Sequence, residues 1–138
     1  MNIKDIMTKT IVIVEMDDSL NMIKEIFDNT RFHHILVIEA GKLYGVISDR
    51  DLLKALGPNI GTLAETTTDL AALNKKAHQI MTRKPVTLTT DAEIQDAVNI
   101  FNENNISCIP VVDKMYKPVG IISWRDIIKT LASNRGKQ

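Results

Sequence analysis

The sequence predicts a mixed α/β fold, α+β in its connectivity, built from two copies of one β-α-β-β-α module. Three observations carry this. Gly45-Val46-Ile47-Ser48-Asp49-Arg50-Asp51 returns as Gly120-Ile121-Ile122-Ser123-Trp124-Arg125-Asp126. Ile6-Met7-Thr8 returns as Ile80-Met81-Thr82, Ile26-Phe27 as Ile100-Phe101, and Ile35 and Val37 as Ile109 and Val111, all at one common offset. Within each copy, short β-branched runs alternate with stretches whose apolar residues recur at helical spacing.

In the first copy, Ile11-Val12-Ile13-Val14 reads as a short buried strand. Asp17, Asp18 and Ser19 offer N-caps to a helix whose apolar stripe is Leu20, Ile23, Ile26 and Phe27 and which ends near Asn29-Thr30. Ile35 to Ile38 is a strand, Glu39-Ala40-Gly41-Lys42 a tight turn, and Leu43 to Ile47 the return strand of a hairpin. Asp49 to Leu56 is a helix stopped by Gly57-Pro58. The second copy repeats this order, with one extra residue in the 113–117 turn and Thr90-x-x-Glu93 as a capping box before its long helix. The copies span 1–56 and 77–138. The joining segment, 57–76, is expected to hold a short helix from Leu70 to Lys76 capped within Thr66–Asp69. A module of this size is marginal alone and covers one face of its sheet with helices, so the two are expected to pack as a pseudo-twofold pair through their sheets.

Composition narrows the function classes. The 138 residues carry 17 basic and 17 acidic side chains, so no overall field draws in DNA or an anionic membrane. No apolar run of about 18 residues is present and the N-terminus lacks a signal-peptide core, so a soluble cytoplasmic protein is the expectation. The single cysteine, Cys108, allows no internal disulfide. It has no base at recognisable spacing and reads as packing. His33-His34 lack a third ligand at metal spacing, and His78 is isolated, so no metal site is expected; a phosphate-contacting or pH-sensing histidine fits better. No catalytic constellation is identifiable, and an enzyme is not expected.

Ser48-x-x-Asp51 and Ser123-x-x-Asp126 are the two places where chemistry concentrates. Each is a capping box at a helix start. The same geometry offers free N–H groups, a positive dipole end and an ionised carboxylate able to accept two hydroxyls. Arg50 and Arg125 sit in the first turn, where the dipole disfavours a cation; they read as solvated side chains, the first paired with Asp49, or as phosphate contacts. Trp124 stands on the exposed side of its motif, as a dimer contact or a ligand-stacking ring.

The duplicated set, Ile-Met-Thr, strand, amphipathic helix, Ile109-Pro110-Val111-Val112-Asp113 and Gly-h-h-Ser-x-x-Asp (h apolar), resembles a pair of CBS domains, the Bateman module. Free-standing pairs of this length are similar to small proteins associated with acetoin utilisation. The resemblance implies a regulatory sensor of an adenosine-containing ligand (AMP, ADP, ATP or S-adenosylmethionine), acting as a homodimer on a client enzyme or transporter. It implies that each Asp holds ribose hydroxyls and each Ser lies near phosphate, in a cleft completed by the opposite copy. The Asp51 cleft would then receive Lys84-Pro85-Val86 and Ser107-Cys108. The Asp126 cleft would receive Lys9-Thr10-Ile11 and His33-His34. Ser107-Cys108 brings no cation, whereas the histidines do, so the resemblance favours the Asp126 cleft. The competing expectation is a protein-interaction module whose Ser-x-x-Asp motifs only cap helices.

Overall fold

The computed structural model describes residues 1–136. In chain order the elements are α1 (Ile3–Ile6), β1 (Ile13–Glu15), α2 (Leu20–Asn29), β2 (His34–Glu39), β3 (Lys42–Ser48), α3 (Asp49–Leu56), α4 (Thr67–Ala72), α5 (Ala77–Ile80), β4 (Thr82–Arg83), β5 (Leu88–Thr89), α6 (Ile94–Glu103), β6 (Cys108–Val112), β7 (Pro118–Ser123) and α7 (Trp124–Gly136). They form two compact units. One is Val12–Lys84; the other joins Met1–Ile11 to Pro85–Gln138.

In the Val12–Lys84 unit the sheet order is β1-β2-β3-β4. β1 runs parallel to β2, and α2 makes the crossover that a parallel pair requires. β2 and β3 form the predicted hairpin, with Ala40 and Gly41 at φ 51° and 78° giving the left-handed turn that matches strand twist. Leu20 and Ile23 from α2, Ile35 and Val37 from β2, Ile47 from β3 and Leu52 and Leu56 from α3 make the core. Gly57, at φ 79°, ends α3 as expected, its N–H donating to the Leu53 carbonyl.

The other unit has sheet order β5-β6-β7, with the parallel and antiparallel pairings of its counterpart. Ile3, Ala97, Phe101, Ile109, Val111, Ile122 and Ile127 form its core. Thr8 extends this sheet by pairing with Ile121, each backbone N–H donating to the other residue's carbonyl at 2.9 Å.

The packing units cut across the sequence copies. The segment that opens the first copy belongs to the unit containing the second copy's sheet. The segment that opens the second copy, 77–84, adds β4 to the first copy's sheet, where Val46 pairs with Thr82 and Gly45 with Arg83. The two openings dock identically. The Ile3 N–H donates to the Ala92 carbonyl and the Ala77 N–H to the Asp18 carbonyl, both at 2.8 Å, and both residues are fully buried. Periodicity reveals a repeat but not which copy a terminal segment pairs with.

Local corrections have plain causes. The linker helix runs Thr67–Ala72, not Leu70 to Lys76, because Thr66 and Asp69 close a capping box one turn earlier. Residues 73–78 are instead tied to the start of α2: the Leu20 and Asn21 N–H groups donate to the carbonyls of Lys75 and Leu73. The capping box expected at Thr90-x-x-Glu93 does not form. Thr89 and Asp91 bond to each other in a turn, and the helix opens at Glu93, whose N–H donates to the Asp96 carboxylate at 2.9 Å. The one-turn helices α1 and α5 carry no periodic signal and were not expected.

Candidate functional site

Two strand-to-helix junctions present the motif side chains, one in each unit. At the first, β3 delivers Ser48 and α3 begins at Asp49. The Ser48 N–H donates to Asp51 Oδ2 at 2.9 Å, and the Asp51 N–H donates to Ser48 Oγ at 3.1 Å. At the second, β7 delivers Ser123 ahead of α7. The Ser123 N–H donates to Asp126 Oδ2 at 2.9 Å, the Asp126 N–H lies 3.3 Å from Ser123 Oγ, and that hydroxyl is 3.2 Å from Asp126 Oδ2. Both aspartates are half-buried. Each carboxylate is therefore held through Oδ2 by its own helix start, and Oδ1 is not used in that cap.

A tight glycine contact holds each junction. A Cβ on Gly45 would lie 2.4 Å from the Met81 sulfur, and one on Gly120 would lie 2.6 Å from the Met7 sulfur. The glycine opening each motif and the methionine of each Ile-Met-Thr segment are two halves of one contact. The sequence displays both halves but not their pairing.

The structure sorts the remaining candidates by unit. With Asp51 stand Arg50, His33, His34 and Lys84; with Asp126 stand Arg125, Lys9, Thr10, Ile11, Pro85, Val86, Ser107 and Cys108. His33 Nδ1 is 2.9 Å from Asp49 Oδ2, so Asp49 pairs with a histidine and not with Arg50, which is exposed. His34 opens β2 opposite Ser48. Burial holds its pKa below the ordinary 6.5, against the opposing pull of Asp49 and Asp51. Lys84 is exposed and adopts φ 50°, a left-handed conformation uncommon outside glycine and further restricted by the following Pro85. Cys108 is buried in β6, and desolvation pushes its thiol up to about 12. Trp124 is partly exposed but its ring lies 4.8 Å from that of Phe101, so one face packs on α6. Among the described residues no three His, Cys, Asp or Glu side chains gather as a metal ion would require, and no helix is long and apolar enough to cross a membrane.

Thr8, outside the predicted set, reaches a motif carboxylate. Thr8 Oγ1 donates to Asp126 Oδ1 at 3.1 Å across most of the length of the chain. Its only sequence signal is membership of the repeated Ile-Met-Thr segment.

Comparison with known proteins agrees with the duplication. Residues 3–58 and 77–133 each match the model of the CBS domain. The uncharacterized protein MJ1426 of Methanocaldococcus jannaschii is 30% identical, over 95% of this chain and 91% of its own length. Longer curated relatives match over part of their length, the chain spanning 43% of one and 24% of another. Among solved structures, the CBS domain pair of protein MJ0100 in complex with 5-methylthioadenosine and S-adenosyl-L-methionine is similar with a TM-score of 0.78 and 27% identity, covering 97% of this chain and 98% of that one. The AcuB protein from Vibrio cholerae is similar with a TM-score of 0.78 and 25% identity, covering 99% of this chain and 93% of that one.

Proposed function

The chain belongs to the CBS domain family, and we propose that it is a regulatory module that binds an adenosine-containing ligand at its Ser-x-x-Asp junctions and relays ligand state through a homodimer to a client protein. One observation carries this reading. Two half-buried carboxylates stand at helix starts with identical spacing, in a chain similar along nearly its whole length to a CBS pair that holds two adenosine compounds. In this reading Asp51 and Asp126 accept ribose hydroxyls, which an ionised carboxylate does well. Ser48 and Ser123, at the positive ends of the α3 and α7 dipoles, would face phosphate or carboxylate groups of the ligand. Arg50, Arg125, Lys9 and Lys84 supply exposed cations. Thr10, Ile11, His33, His34, Pro85, Val86, Ser107 and Cys108 complete the proposed set.

A ligand of this kind stabilises the folded chain by mass action, by about 2.7 kcal/mol at a hundred times its dissociation constant. Thermal shift and calorimetry against AMP, ADP, ATP and S-adenosylmethionine test it. A rise in melting temperature with at least one of them is expected; no response to any at millimolar concentration overturns the reading. The relay requires the ligand to favour one state of the protein over another. Sedimentation of the protein with and without ligand reads that difference.

The second reading, a protein-interaction module with capped helices and no ligand, is favoured by the reciprocal Ser–Asp bonds at both junctions. It predicts undiminished binding to a client protein in nucleotide-free buffer.

A further inference from the structure

The two motif carboxylates differ in what already occupies them. Asp51 accepts one hydrogen bond, from the Ser48 N–H, and its Oδ1 accepts none among the described residues. Asp126 accepts the Ser123 N–H and hydroxyl at Oδ2, and the Thr8 hydroxyl at Oδ1. A carboxylate offers about four lone-pair directions, so Asp126 has little capacity left, while Asp51 has enough for both hydroxyls of a ribose diol.

The Thr8 contact is held in place by its backbone. Thr8 pairs with Ile121 through two hydrogen bonds of 2.9 Å, on the strand that leads into Ser123. Thr82 occupies the matching position beside Val46 in the other unit, yet its hydroxyl makes no bond to Asp51. The asymmetry therefore arises from a side-chain contact, while the backbone arrangement is common to both units.

We propose that Thr8 decides which of the two junctions takes ligand. Its hydroxyl competes with ribose hydroxyls for Asp126, so a ligand must displace Thr8 to use the second junction, whereas the first is open. This rests on the adenosine-ligand reading. It reverses the ranking expected from the sequence, because the sequence shows which groups each motif contains and not which are already bonded.

The test is calorimetric titration with AMP, ADP, ATP and S-adenosylmethionine of the native chain and of Thr8→Val, Thr8→Ser, Thr82→Val, Asp51→Asn and Asp126→Asn. In the native chain Asp51→Asn is expected to cost more than tenfold in affinity and Asp126→Asn less than threefold. Thr8→Val, by removing one hydrogen bond to a charged acceptor, is expected to strengthen Asp126-dependent binding about tenfold. That gain should vanish in Thr8→Val/Asp126→Asn. Thr8→Ser and Thr82→Val should bind like the native chain. Binding by the native chain with a Thr8→Val affinity within twofold of it overturns this inference alone, as does a gain that survives Asp126→Asn. Should Thr8→Val fail to fold, the ranking of the two Asp→Asn variants decides, and a larger loss at Asp126 overturns the proposal. No binding of any of the four compounds to the native chain or to any variant overturns the adenosine reading and this inference together.

Discussion

Gly45 lies so close to Met81 that a Cβ in its place would sit 2.4 Å from the sulfur and 2.7 Å from Cγ. The contact joins the strand before the first motif to the segment that opens the second copy. Gly120 and Met7 repeat it in the other unit.

Gly45→Ala is expected to destabilise by about 1–3 kcal/mol, the usual cost of forcing extra volume into a packed site. The methionine cannot simply swing its tip aside, because Cγ and Cβ are also too near. Urea denaturation measures the cost. Combining Gly45→Ala with Met81→Ala should recover part of it, and strict additivity would show that the contact is not the cause.

The two serines act as caps whatever else they do. Ser48→Ala and Ser123→Ala each remove the acceptor for an aspartate N–H. Each is expected to lower stability by about 0.5–2 kcal/mol. Thermal melts without nucleotide isolate this effect from any loss of ligand binding.

His34 makes stability depend on pH. Burial lowers its folded pKa below the 6.5 of the free side chain. The unfolded chain therefore binds the proton more readily, and the stability contributed at neutral pH falls as pH drops below about 6.5 toward the lowered value. His34→Gln should flatten the urea midpoint between pH 7.5 and pH 5.5 relative to the native chain. An unchanged slope would assign that dependence to other groups.

Cys108 should be inert while the protein is folded. Its thiol is buried and pushed up to about 12, leaving almost no thiolate at neutral pH. Iodoacetamide labelling should be slow in buffer and fast in denaturant. Fast labelling of the folded chain would mean that β6 opens readily.

Much of the fold was legible in the sequence because its signals are local. Alternating β-branched runs, the stripe Leu20–Ile23–Phe27 and the stop at Gly57 each lie within one turn or strand of the structure they specify. Duplication identified both Ser-x-x-Asp junctions, and their capping bonds formed with the expected partners. Competition among neighbours was harder to read. Thr66 and Glu93 took the caps in place of later or earlier residues, because several hydroxyls and carboxylates stood within reach of the same N–H groups.

The sequence by itself determined a duplicated α/β module with two matching serine–aspartate helix starts. Tertiary structure alone decided how the copies exchange their opening segments, so that Met7 meets Gly120 and Met81 meets Gly45. It also decided that Thr8 bonds to Asp126 while Thr82 leaves Asp51 free of it. The reason is physical. Repetition specifies equivalent local conformations, but hydrogen bonds between residues far apart in the chain depend on small differences in side-chain placement that an identical motif does not encode.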